Sequence, residues 1–505
     1  VTVALQADSD QPGGIDRRPQ AATARGAGSD DGHGAGAAGG ADHAAGARSR
    51  GVGVDGGRTT LADLRLAGPV AVTWIVTVLL VARASVAPTV GVASAVVGAV
   101  ALGLVVFVRR AGQDDRTPWR RSADATTVRV GASLVLTTAL LVGLVAVAVV
   151  VGQGRREPAV LRDATGRTVS AEVLLTRDLS PGDRSVVGRL ETVRSRSGAG
   201  GAALRAPVRL VPTFDAARTA VLPAGSVVRV RGQLEADAPG SATAFVLFTR
   251  GPTEPVAGPR GLLGWSAVAR AAFVAVTTDL PEPGAALLRG LAIGDRSGLD
   301  PATEEAMETS ALTHLTAVSG SNCAVLVALV VLLGRAVGAP RVLRAAVAIA
   351  VLLGFVVLVR PDPSITRATV MAIVVLVVHL TGRPVRGVPL IALAVVGMLV
   401  VDPWAARSFA FALSVLATTG IVVLAPPLTA LLERRLWTPV AAAVAVPVAA
   451  QTACWPVTIP LSPALPTYAV PTNLFAELLA PVATVAGLAA CLLAPVWSGG
   501  AGVLA

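Results

Sequence analysis

The chain has 505 residues, 53% of them hydrophobic and only 15% charged, against about 25% charged in ordinary soluble domains. All 43 basic residues are arginine, and against 32 acidic ones they leave a net charge of +11. With its apolar residues gathered in long runs, this composition excludes a soluble globular enzyme and implies a polytopic membrane protein. The 17 aromatic residues (9 Phe, 7 Trp, 1 Tyr) are too few to make up the apolar mass. Ala, Val and Leu supply it, which suits helices packed closely through small side chains. Cys323, Cys454 and Cys491 all lie in apolar runs and read as buried small hydrophobes. His33, His43, His314 and His379 have no metal-ligand spacing, so neither a metal nor another cofactor is expected.

Residues 1–60 are rich in Gly, Ala, Asp and Arg and lack apolar periodicity, which predicts a disordered tail. They do not read as a signal peptide, because the first apolar run begins only near Ala67. Residues 61–152 carry three apolar runs, at 67–82, 88–108 and 130–152. Each is long enough, or nearly so, to cross a hydrocarbon core of about 30 Å. Between the second and third lie Arg109, Arg110, Arg116, Arg120, Arg121 and Arg129. The positive-inside rule places that loop, and the N-terminus with it, in the cytoplasm. Residues 153–260 are polar, with short alternating segments at Val169–Leu175, Val208–Val211, Ser226–Leu234 and Ala244–Thr249. They predict a small all-β domain, extracytoplasmic because the third run leads outward.

Residues 261–505 are apolar again. The segments 262–278 and 284–294 are short or interrupted by Arg and predict interfacial or re-entrant helices. Spans are expected at 315–334, 342–360, 366–381, 387–401, 409–425, 437–457 and 472–496. Every second loop among them is basic: Arg335, Arg341 and Arg344, then Arg383 and Arg386, then Arg434 and Arg435. Those loops face the cytoplasm, and the loops 361–365, 402–408 and 458–471 share the side of the β domain. The expected fold is thus a polytopic α-helical membrane protein of about 10 spans, plus interfacial or re-entrant helices, with an inserted small all-β domain.

The densest polar stretch of the apolar half runs from Gly290 to Asn322. Asp295 and Arg296 form an ionisable pair inside an apolar stretch, and Asp300-Pro301 reads as an N-cap opening a short acidic helix. His314, Ser319, Ser321 and Asn322 stand around Gly320 at the mouth of the next span. GLAIGDRSGL, followed by THLTAVSGSNCAVL, PSITRATVM (363–371), DPWAARSFAFALSVLATTG (402–420), Gln451 near Pro456, and PTNLFAELLAP (471–481), resembles the ComEC-type competence protein family in that order. The resemblance covers roughly residues 65–505.

It implies a cytoplasmic-membrane channel that takes up single-stranded DNA during natural transformation, with an OB-like β domain. Its implied partners are the single-stranded DNA, the lipid bilayer, a separate DNA receptor and a cytoplasmic ATPase or helicase. A homodimer is a further expectation. Motif and path positions carried over are Asp295, Arg296, His314, Ser319, Gly320, Asn322, Ser364, Arg367, Asp402, Ser414, Gln451 and Asn473. The 505 residues contain no HxHxDH motif of the metallo-β-lactamase-like domain that many family members carry. The expectation is therefore a short or truncated member that is not itself an enzyme. No Walker A motif is present either.

A polyanion crossing lipid needs a polar, protein-lined path, since a charge at the bilayer centre costs at least about 2.5–3.5 kcal/mol. Arg289, Arg296, Arg360, Arg367 and Arg407 are the candidate cations, with Asp295, Asp402 and Glu477 as their partners. Plainer readings stand beside these: Arg360 and Arg367 snorkel to the interface, Asp402-Pro403 only starts a turn, and Asp295-Arg296 is a structural ion pair. On the β domain the DNA-contact candidates are Arg194, Arg196, Arg229 and Arg231. Its aromatics are Phe214, Phe245 and Phe248, the last two read as core positions of one strand, so electrostatic capture is favoured over base stacking. Two other classes compete: a membrane-embedded hydrolase or transferase using Asp295, His314 and Ser319, and a small-solute transporter, which would show two similar halves.

Overall fold

A backbone surrounded by lipid must satisfy its own hydrogen bonds, so each long apolar run is driven into a helix. The computed structural model describes residues 63–111, 123–180, 183–195, 204–212, 221–310, 312–316, 320–360, 363–381, 387–461 and 469–505. The N-terminal segment 1–60, with His33 and His43, lies outside the described residues, as do Arg196, Phe214 and Ser319.

The first three apolar runs form α1 (Ala67–Ala82), α2 (Ala87–Ala111) and α3 (Ala123–Arg156). At 34 residues, α3 is about 51 Å long, longer than the hydrocarbon core. A short helix α4 (Ala159–Asp163) leads into six strands: β1 (Thr168–Leu175), β2 (Val186–Ser195), β3 (Pro207–Pro212), β4 (Val227–Ala236), β5 (Phe245–Thr249) and β6 (Glu254–Ala257). Then come α5 (Gly261–Thr277), α6 (Gly284–Ile293), α7 (Pro301–Thr309), α8 (Thr313–Thr316), α9 (Gly320–Ala336), α10 (Arg341–Val359) and α11 (Pro363–Leu380). The chain continues through α12 (Gly387–Val401), a 3-10 turn (Pro403–Arg407), α13 (Phe409–Val423), α14 (Ala425–Leu432), α15 (Thr438–Leu461), α16 (Ala469–Leu493) and α17 (Ser498–Leu504). The expected runs at 342–360, 366–381, 387–401, 437–457 and 472–496 each coincide largely with one helix, whereas 409–425 is divided between α13 and α14 and 315–334 includes residues outside those described.

Among the described residues, four helices are long and apolar enough to cross a membrane, at Ala84–Arg110, Thr126–Arg156, Arg341–Val359 and Thr438–Pro460. A fifth results if Phe409–Val423 and Ala425–Leu432, bent by 46°, form one span. Seven further apolar helices are shorter. The bundle turns large apolar side chains outward: Val100 is 68% and Phe107 69% exposed on α2, and Ile75 and Leu79 are exposed on α1. Contiguous apolar surface of this kind marks a face that lipid or another apolar partner covers.

The strands close into a small barrel. The pairing order is β1-β2-β3-β5-β4, and β4 pairs back with β1; β3 and β5 are parallel and the other pairs antiparallel. Strict alternation explains the closure. Val169, Ala171, Val173 and Leu175 of β1 point inward with Val228, Val230 and Leu234 of β4. Gly232 also faces in, and a Cβ there would strike the backbone of Phe248.

β2 and β6 are strands that the alternation pattern does not predict. In β2, Val186, Gly188 and Leu190 face inward in step, but the register then shifts opposite Glu172/Val173, so the next inward residue is Val193. That β-bulge breaks the period of two on which sequence patterning relies.

Two helical cores hold the bundle. One gathers Ala269 and Phe273 of α5, Ala292 and Ile293 of α6, Val327 of α9, Leu352 of α10 and Cys491 of α16. The segments expected as interfacial or re-entrant helices are thus built into this core. The other joins Leu80 of α1 and Val149 of α3 to Leu399 of α12, Trp404 and Phe411. Small residues set the helix spacing: a Cβ at Gly420 would lie 2.6 Å from the carbonyl oxygen of Ala449. Gly420→Val should therefore force α13 from α15 and cost about 1–3 kcal/mol. Gly103→Ala, in open space, should be neutral. Thermal inactivation in detergent, followed by size-exclusion recovery, measures both.

Candidate functional site

The polar stretch after α6 forms a compact exposed turn. Gly294, in the left-handed conformation at φ 69°, terminates α6, a conformation glycine adopts without Cβ strain. Asp295 Oδ1 accepts hydrogen bonds from Ser297 N (3.0 Å) and Ser297 Oγ (2.7 Å). Arg296 pairs with Glu304 at 2.8 Å. The expected Asp295–Arg296 pair is therefore corrected: each side chain has a different partner, because the tight turn points them apart. Asp300 accepts from Thr303 N at 2.9 Å and opens α7, as the sequence predicts. Arg289 is buried, pairs with Glu282 at 2.6 Å, and lies so close to residue 298 that a Cβ there would come within 2.7 Å of it. The final glycine of GDRSG thus admits a buried guanidinium.

Gly320 starts α9, and a Cβ there would touch Ala368 of α11 at 3.4 Å. Asn322 is buried and donates to Leu291 O of α6 at 3.4 Å, tying the second motif to the first. Cys323 Sγ stands 3.8 Å from Thr369 Oγ1. Arg367 is buried on α11. His314 lies on α8, Ser364 on α11, and Asn473 and Glu477 on α16; their side chains, like Ser319, lie outside the described residues. Ser414 and Gln451 belong to α13 and α15, which pack together at Gly420. Among the described residues no group of His, Cys, Asp and Glu gathers to hold a metal ion.

The motif beginning at Asp402 serves the barrel. Asp402 Oδ1 accepts from Trp404 N at 3.2 Å. Arg156, the last residue of α3, lies 4.1 Å over the Trp404 ring and donates to Ser241 O and Ala242 O at 2.8 Å each. Gly152, one turn earlier, leaves room for the same indole. Arg407 donates to Pro239 O at 2.6 Å. So neither Asp402 nor Arg407 pairs with the partners the sequence reading gave them.

A second contact holds the barrel to the bundle. Asp178, in the loop after β1, faces two buried arginines that sequence reasoning did not bring together. Arg270 of α5 (8% exposed) reaches its Oδ2 at 3.1 Å, and Arg360 (5% exposed) its Oδ1 at 3.2 Å. Ala224 N donates to the same Oδ1 at 2.7 Å. Arg360 is thus buried at the barrel contact, not snorkelling. Arg360 and the 402–407 linker thus both reach the barrel.

On the barrel's outer wall, the pairing aligns Arg194 of β2, Ser170 of β1 and Arg231 of β4 in one row, continued by Arg250, whose N–H donates to Arg231 O. Arg194, Arg231 and Arg250 are exposed. The adjacent row sets Arg229 on Glu172 at 2.8 Å and Thr192 on the same carboxylate at 3.1 Å. Phe245 and Phe248 do not both fill the core. Phe245 is buried, whereas Phe248 is 41% exposed on the outer face opposite Gln233, because residues three apart on a strand face opposite ways. One aromatic platform therefore borders the cationic row.

The hydrogen bonds from Arg229 and Thr192 hold the Glu172 carboxyl below the usual range. Its stabilising contribution should be complete above the unfolded-chain value of about 4.3 and vanish as pH falls through the lowered folded value. The difference between wild type and Glu172→Gln in the urea midpoint, followed by hydrogen exchange of barrel peptides, should close accordingly on acidification.

Compared with known proteins, residues 291–505 match the family model described as Competence protein. No curated protein and no solved structure matches the chain. The matched residues include most of the turn, the helix start at Gly320, Arg360 and the Asp402 linker, while the barrel and α1–α3 lie before them. Over these residues the chain is similar to the Competence protein family.

Proposed function

We propose that the protein is a multi-pass channel of the cytoplasmic membrane that takes up single-stranded DNA in natural transformation, with its barrel outside the cytoplasm. One observation carries this reading: a competence-family segment is joined, through buried arginines, to a barrel whose outer wall bears the Arg194–Ser170–Arg231–Arg250 row. The strand order and parallel β3–β5 pair support an OB-like reading of the barrel. A cationic row beside Phe248 has the chemistry that captures single strands without sequence preference, with phosphates on guanidinium groups and a base on the ring.

The apolar outward faces of the helices support lodging in a bilayer, and the alternation of basic loops along the sequence supports their cytoplasmic placement. In this reading the chain moves DNA and does not cleave it. A separate receptor delivers the strand, a cytoplasmic ATPase or helicase draws it in, and a homodimer is part of the proposal. Asp295, a candidate for a hydrolase, is occupied within its own turn, and no observation favours that chemistry or solute transport.

Deleting the coding region in a naturally transformable host should abolish import of labelled DNA; unchanged import would refute the proposal. For the purified protein, Arg194→Gln with Arg231→Gln should weaken binding of a poly-dT oligonucleotide. It should also lower the slope of log K against log salt by about 1.4, two phosphate contacts at about 0.7 each.

A further inference from the structure

We infer that Arg270 and Arg360 are positioning residues that couple the barrel to the 294–300 turn. Arg270 stands in the middle of α5 and contacts three elements at once. It holds Asp178 of the barrel and donates to Ile293 O, the last residue of α6, and to Leu358 O of α10. Arg360 adds Ala224 O of the barrel at 3.2 Å. One guanidinium therefore links the barrel loop directly to the carbonyl that precedes Gly294, the left-handed hinge from which the turn departs.

The chemistry of the junction argues for a role beyond adhesion. Two buried cations share one carboxylate, and Arg360 Nε is buried without a hydrogen-bond partner. Arg360 also has φ 82°, the one positive value at a non-glycine residue among those described. With ψ 148°, this is a backbone region essentially confined to glycine, held only where the surroundings over-determine it. An apolar contact of equal size would join barrel and bundle at least as strongly, because buried charges give up hydration on burial. Charges held this way fix geometry: a displacement of Asp178 leaves both guanidiniums undercompensated, and Arg270 must re-form its bonds to Ile293 O and Leu358 O. The turn itself is exposed from Arg296 to Gly298 and held by short local bonds, so it is free to follow. In the DNA-uptake reading, on which the biological meaning rests, a strand seated on the barrel is thereby reported to the turn.

The test uses the full chain in lipid nanodiscs with Cys323, Cys454 and Cys491 changed to Ala. Ala302→Cys, exposed in the first turn of α7, reports on the motif turn, and Ala236→Cys, exposed at the end of β4 on the barrel, is the reference. Labelling by a membrane-impermeant maleimide is compared in Asp178→Asn, Arg270→Gln and the double variant. Each single variant should change the rate at residue 302 by at least about fivefold while leaving 236 unchanged. The double variant should add nothing further, since both act on one interaction. A rate at 302 that stays constant, or reporters that rise together, would overturn the inference. If Asp178→Asn does not yield monodisperse protein, Asp178→Glu keeps the charge and should shift the 302 rate in the same direction. In a second arm, poly-dT should alter labelling at 302 with the junction intact and not in Asp178→Asn. Coupling in the first arm without any oligonucleotide binding would preserve the junction and refute the DNA reading.

Discussion

The carboxylate of Asp178 lies between two buried guanidinium groups, and the relation of barrel to bundle depends on it. A polar domain gains little from resting on an apolar bundle whose surface is covered by lipid. Directed charged hydrogen bonds supply the register instead. The second contact follows the same logic: α3 ends in Arg156, which stacks on Trp404 and donates to the loop between β4 and β5. Arg407 clamps the same loop from the linker after α12. Apart from Arg270, in the middle of α5, each of these arginines lies at or near a helix end and reaches a backbone carbonyl or carboxylate of the barrel.

Much of the architecture was legible in the sequence because it follows from periodicity and length. Apolar runs had to be helices, and the alternating segments from Val169, Val208, Ser226 and Ala244 had to be strands. Asp300-Pro301 showed its cap directly. What stayed hidden was long-range. The bulge opposite Glu172/Val173 concealed β2, and Phe248 looked like core because its neighbours Val246 and Leu247 are apolar. Arg270 read as an interruption of a helix, although an arginine in the middle of an apolar segment is the feature that should have prompted a search for its partner. Asp178, in a polar loop, gave no local sign that it would be that partner. Asp295 and Arg296 are adjacent in sequence, but each side chain finds its partner elsewhere, in Ser297 and Glu304.

The positive charge of the chain can now be assigned by place. Some arginines, such as Arg335, Arg341, Arg434 and Arg435, stand at or between helix ends. Arg270, Arg289, Arg344, Arg360 and Arg367 are buried. A third group forms the row on the barrel wall. That last group has the exposure and spacing to meet a polyanion from solution, and it lies outside the matched family segment. In the proposed function the family segment supplies the membrane passage, the barrel supplies first contact, and the Asp178 junction keeps them in register.

The most direct measurement is site-specific photocrosslinking of labelled DNA during import. A photoreactive residue is placed at Arg194, at Arg231 or at Ser297 in the protein in transforming cells, with Val92, an outward-facing position of α2, as the control. The account predicts crosslinks to single-stranded DNA at 194 and 231 on the barrel and at 297 in the turn, with none at 92. Import that proceeds without crosslinks at any of the three sites would contradict it.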